Sequence, residues 1–363
     1  MKEERVSERQ SNIELLRIVL MLLIIAHHSV VNSGVMDNFD YQAVTGNMLF
    51  LQCFGAFGKI GVNCFVLITG YFMVTSKISA KKWLKLYLEI KFYTLLFYAL
   101  FLLGGRISFN YHEALEILFS VVFGIGNTFA DTFLILYLLI PFINLLIEKL
   151  SPKSYALLLG LLLIVMTVIP SFSLFLSVLH RNNDTWSYLP WMAVVYMLGA
   201  FIRLNQDKVF ELSFLNSTIK RLALVAGSVI LMFLWIGFYD YFGSRHNMRS
   251  PYWFVNDANK LLAIVTALCI FVFFLGIHIK HNKWINRIAA TTFGIFLIHT
   301  SGDAMREFLW KDLFHCKDLY YDSMLPIKYI GMVFAIFAVC AAIDWLRAKC
   351  LEDPLFRRFD QSS

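Results

Sequence analysis

The first apolar stretch of the chain carries groups that hydrocarbon excludes. Glu14, Arg17, His27 and His28 sit within residues 12–28, a run otherwise made almost wholly of Ile, Leu, Val, Met and Ala. An ionisable residue inside a membrane span points to a site, because its cost there must be met by a partner or a task. Imidazole titrates near neutrality and serves as a general base, and guanidinium binds anions through paired donors. At 100° per residue, eleven positions bring Arg17 and His28 to within about 20° of one azimuth and about 16 Å apart along the axis. His27 points about 80° off that stripe, so His28 is the imidazole that shares a face with Arg17. Glu14, three residues before Arg17, is placed for an i,i+3 pair that would lower the cost of the cation. Taken singly, these residues have plainer readings, Arg17 snorkelling to the inner headgroups and His28 resting at the outer interface. Base, cation and acid together favour a site.

What must position them is a membrane bundle. Of 363 residues, 59% are hydrophobic and only 16% charged, and the mean hydropathy of +0.65 is above what a soluble domain sustains. The charges gather between long apolar runs. The net charge of +7 comes with no basic, aromatic-interleaved stripe, so no nucleic-acid partner is expected. Six scattered cysteines without CxxC spacing suggest neither a metal site nor a disulfide framework. Basic residues precede the first apolar run as in a signal peptide, but that run holds two histidines and ends without a small-residue cleavage site, which predicts a retained helix.

Spans of the required ~20 residues are predicted near 12–31, 57–75, 83–103, 131–149, 154–170, 187–203, 219–238, 258–278, 289–309 and 326–347. The expected fold class is an all-α, polytopic integral membrane helical bundle of about ten transmembrane helices. Residues 1–350 form a single transmembrane domain and 351–363 a short tail. With the amino terminus inside, alternate loops hold about 20 Lys and Arg on the cytoplasmic side against about 10 outside, so both termini are expected in the cytoplasm. The stretch from Tyr111 to Gly126 is short, ends in Gly124-Ile125-Gly126, and reads as an interfacial or re-entrant helix. No internal repeat or soluble appended domain is evident, and nothing indicates the oligomeric state.

Other polar residues fall inside the spans. Thr69-Gly70 offers a hydroxyl and a close-approach backbone near a reacting carbonyl, or plain helix packing. His299 is either a second polar cavity residue or an interhelical hydrogen-bonding group. Asn63, Tyr137, Asp131 and Arg203 are further candidates to line a polar passage. Aromatics in the outward loops form an interfacial belt or a sugar-stacking surface.

The pattern Glu14-Leu-Leu-Arg17, ten residues, then His28 resembles the first-helix signature of the membrane acyltransferase 3 family. The Phe-containing run from Gly61 to Thr69-Gly70-Tyr71-Phe72 resembles that family's second-helix pattern, with Thr in place of the usual Ser. Leu134–Pro141, around Tyr137, and Phe293–His299 are similar to its later motifs; the Trp and His that often precede the Tyr-Pro span are absent, and Asp131-Thr132 stands nearby. The resemblance implies a membrane O-acyltransferase that takes an acyl group, most commonly acetyl, from acyl-CoA and transfers it to a sugar hydroxyl of a bacterial surface or lipid-linked glycan. It implies acetyl-CoA as donor, no metal, the lipid bilayer and a glycan as partners, and a cell-membrane location. The chemistry agrees with this independently: His28 as base for the sugar hydroxyl, Arg17 with Glu14 near the cytoplasmic end for the phosphates of the coenzyme. A glycan or lipid flippase, a secondary transporter and a purely structural membrane partner stand as alternatives.

Overall fold

The computed structural model describes residues 9–123, 129–172, 188–246 and 250–354. Among them the chain is helical, with no strand. Seven helices are long and apolar enough to cross a membrane: Ser11–Val31, Gly46–Met73, Ala80–Leu103, Phe129–Lys149, Pro152–Phe172, Thr218–Tyr241 and Leu325–Glu352. Two further apolar helices, Tyr188–Leu204 and Leu261–Leu275, fall where spans are predicted but are shorter. Tyr111–Phe123 has 13 residues, too few to cross about 30 Å of hydrocarbon. Its Gly124-Ile125-Gly126 end lies outside the described residues. So do most of the 351–363 tail and part of the basic tally (Lys2, Arg5, Arg181, Arg249, Arg357 and Arg358).

The predicted span 289–309 is not one helix. It is divided into Lys283–Ala289, Thr292–His299 and Gly302–Glu307. The hydroxyls of Thr291, Thr292 and Thr300 donate to the carbonyls of Ile288, Ala289 and Phe296, local bonds that compete with the helical ladder. Gly302 then turns the chain at φ 76°, a conformation that favours glycine. Broken backbone persists at membrane depth only against protein or a cavity, and this break lies against both.

The first helix and Gly46–Met73 are the enclosed ones: 56% and 67% of their apolar windows are buried, against 22% for Thr218–Tyr241, which leaves Ile219, Leu231 and Leu234 exposed. Polar residues on the first helix therefore face protein. Its start is pinned: Ser11 donates to Asn286 Oδ1 at 3.0 Å, and Asn12 Nδ2 reaches the carbonyls of Phe274 and Ile277 at 2.9 and 3.1 Å, acceptors at and just past the end of Leu261–Leu275. The tightest helix crossing sets Gly70 against the Tyr196 carbonyl and Gly199 against the Leu67 carbonyl, each with no room for a Cβ. Small residues let backbones approach this way in membranes. The last helix is clamped by Arg347, which meets Glu89, Asp344 and Glu352 at 3.0, 3.0 and 2.8 Å. Tyr93 donates to Asp344 at 2.7 Å.

Candidate active site

Two cavities succeed one another along the first helix. The inner one, about 400 Å³, is lined by Glu14, Arg17, Thr69, Tyr137 and Thr292 among mostly apolar side chains, including Phe65, Phe72, Phe133 and Phe293. The outer one, about 490 Å³, is polar: His28, Lys59, Thr94, Glu113, Glu116, Asp131, Tyr188 and Arg306 line it. Ile24, Val62, Phe129 and Phe296 line both and form an apolar collar where they meet. The Phe129 and Phe296 rings there lie edge to face, 5.5 Å between centroids. Arg17 and His28 thus face one side of their helix, but the single polar passage expected between them is replaced by two chambers and a collar. Ile24, one turn before His28, occupies the stripe between them, and an apolar side chain on that azimuth is packed by its neighbours.

At the outer end, His28 Nδ1 lies 3.0 Å from His299 Nε2, and His299 Nδ1 lies 2.6 Å from the Ile295 carbonyl. A carbonyl only accepts, so His299 Nδ1 carries the proton and, in the neutral ring, Nε2 is left to accept. His28 Nδ1 must then donate to it, which leaves the His28 Nε2 lone pair free. The proton placement follows from these partners alone. The break after His299 is what brings this ring to the first helix, since Thr292–His299 ends there and Thr300, Ser301 and Gly302 turn along the outer cavity wall. His27 also lines the outer cavity but takes no part in this pair: it donates to the Gly55 carbonyl at 2.5 Å and its ring fills the space over Gly58.

Other candidates separate. Thr69 and Tyr137 line the inner cavity, and the Thr69 hydroxyl donates to the Phe65 carbonyl at 2.9 Å. Gly70 does not reach it, because the next residue on a helix turns 100° away and meets Tyr196. Asn63 lines neither cavity: it donates to the Ala258 carbonyl at 2.7 Å, accepts from Trp191 at 3.0 Å, and holds three elements together. Glu14 and Arg17 lie close enough for their charges to act on each other, but no hydrogen bond or close ion pair joins them among the described residues. Glu14 Oε2 and Arg17 Nε are buried without hydrogen-bond partners, both at the inner cavity wall. Asp131 belongs to the outer cavity and Arg203 to a third hollow that adjoins the inner cavity. Lys59, Glu113, Glu116 and Arg306 were not foreseen as site residues. Their only signal is charge next to a span, which topology alone explains.

The described residues thus form an all-α bundle with membrane-spanning helices and a histidine pair whose His28 lines the outer of two adjoining cavities. The chain belongs to the acyltransferase 3 family, whose acyltransferase domain matches residues 10–345, nearly its whole length, and it is a multi-pass membrane acyltransferase. No curated protein and no solved structure matches it.

Proposed function

We propose that this protein transfers an acyl group, acetyl in the first place, from cytoplasmic acyl-CoA to a sugar hydroxyl of a cell-surface or lipid-linked glycan at a bacterial cell membrane. The observation that carries the reading is His28, which lines a polar cavity with its Nδ1 engaged by His299, while a second, apolar cavity reaches the same collar from the other end. The acceptor hydroxyl enters the outer cavity, whose carboxylates and aromatic rings suit a polyhydroxylated ring. The thioester arm enters the inner cavity past Arg17. His28 Nε2 takes the hydroxyl proton as the oxygen attacks the thioester carbonyl. The C–O bond forms, the C–S bond breaks, and the proton passes from His28 to the departing thiolate, so the base is regenerated. The inner face is cytoplasmic in this reading, with both termini on that side, and residues up to about 350 act as one unit.

Membranes carrying the protein are supplied with labelled acetyl-CoA and the host's surface glycan, alongside a His28→Ala form. The expected result is label in the glycan with the parent and a loss of about 10²–10⁴-fold with the variant. Equal transfer by both removes His28 from the chemistry. No transfer by either, with altered export of lipid-linked glycan, makes the protein a transporter.

A further inference from the structure

Below the inner cavity, at the basic face, lies a third hollow of about 680 Å³ whose wall includes Arg9, Arg203, His278, Lys280 and His281 and no Asp or Glu. Arg9 and Gln10 line this hollow and the inner cavity alike, so the two adjoin. Arg203 stands on the helix Tyr188–Leu204, while Arg9 precedes the first helix and Lys280 lies on the loop after Leu261–Leu275. Arg9 donates to the Asn286 carbonyl at 3.2 Å. Arg203 donates to the Tyr71 hydroxyl at 3.0 Å and lies over the Tyr71 ring, while that hydroxyl donates to Gln206. Each guanidinium keeps further donors for a ligand. A concave wall of one sign raises the local concentration of opposite charge, and three permanent cations without a carboxylate fit several phosphates.

We infer that this vestibule binds the phosphate-bearing nucleotide end of the donor, and that Arg17 does not. This deepens the acyl-transfer reading and rests on it for the donor's identity. Arg17 is the one cation deep among the inner cavity's apolar walls, where burying several phosphate charges against a single guanidinium would cost more than the pairing returns. In the vestibule the charges stay hydrated and multiply paired, and only the neutral arm and acyl group pass Arg17 toward the collar. An anionic lipid headgroup offers the same chemistry at this face, and the test separates the two sources.

The protein in phosphatidylcholine nanodiscs is titrated with adenosine 3′,5′-bisphosphate, and turnover is followed with acetyl-CoA and with acetyl-pantetheine, which lacks the nucleotide. Arg203→Ala and Lys280→Ala each raise the bisphosphate Kd and the acetyl-CoA KM about tenfold or more, the cost of a lost charge-assisted bond. The rate with acetyl-pantetheine stays within about twofold. Unchanged Kd and KM in both variants, with acetyl-CoA still used, overturn the vestibule and leave acyl transfer standing. Nucleotide binding that depends on Arg203 and Lys280 in a protein that transfers no acetyl does the reverse. Loss of co-purifying phosphatidylglycerol in the variants with nucleotide binding unchanged makes the vestibule a lipid site and also overturns the inference.

Discussion

His28 owes its open nitrogen to a ring that lies 271 positions along the chain. His299, in turn, is held by a carbonyl of its own helix at 2.6 Å, so one backbone acceptor sets the proton positions of both rings. A positioning role of this kind makes a specific demand on the replacement side chain. His299→Ala lowers kcat by roughly ten- to a hundredfold, short of the ~10²–10⁴ of a lost base. His299→Gln, whose amide oxygen can accept from His28 Nδ1, recovers most of that loss. Equal loss in both forms, measured as kcat at saturating acetyl-CoA, would show that His299 serves packing and nothing more. Glu14 and Arg17 teach the opposite lesson about spacing. An i,i+3 interval brings the two charges within range of each other, yet it does not secure a hydrogen bond: both groups line the cavity, and Glu14 Oε2 and Arg17 Nε are left without partners.

Helices in this bundle are positioned by a few contacts that hydropathy does not register. Gly70 and Gly199 allow Gly58–Met73 and Tyr188–Leu204 to touch backbone to backbone, and a methyl at either would enter a carbonyl oxygen of the partner. Gly70→Ala and Gly199→Ala are each expected to cost about 1–3 kcal/mol, the range of overpacking, and to lower the unfolding temperature in detergent. Gly237→Ala is the control: a Cβ there meets nothing within 4 Å, and alanine favours the helix by about 1 kcal/mol, so no loss is expected. A fall with Gly237→Ala equal to that with Gly70→Ala would dismiss the close crossing as the cause. The broken segment 283–307 escaped the sequence reading for a physical reason. Ile, Phe and Leu make the stretch 293–298 strongly apolar, while the Thr and Gly residues around it act through local hydrogen bonds and φ angles.

Under the acyl-transfer proposal, the adjoining hollows form a path from one face of the molecule to the other. The third hollow, apolar cavity, collar and polar cavity follow one another beside the first helix, and on that proposal the collar is where the acyl carbonyl is presented to His28. Val62, on Gly58–Met73, is the smallest side chain of the collar. Val62→Trp is expected to fill it and lower acetyl transfer by about tenfold or more, since displacement from near-attack geometry is that costly, while bisphosphate binding in the vestibule stays within about twofold. Transfer at the parental rate would show that the acyl group takes another route.

Composition and apolar run length were enough to establish a membrane-embedded helical protein, because burial in lipid is decided by contiguous residues. The helical period likewise set Arg17 and His28 about 20° apart around the first helix, but it did not keep His27 out of the outer cavity, which both histidines line. Spacing along one helix says nothing about what stands opposite that face. His28 met His299, Asn63 went to packing, Gly70 to a helix crossing, and the expected passage became two chambers, because each outcome depends on side chains that distant parts of the chain bring into contact.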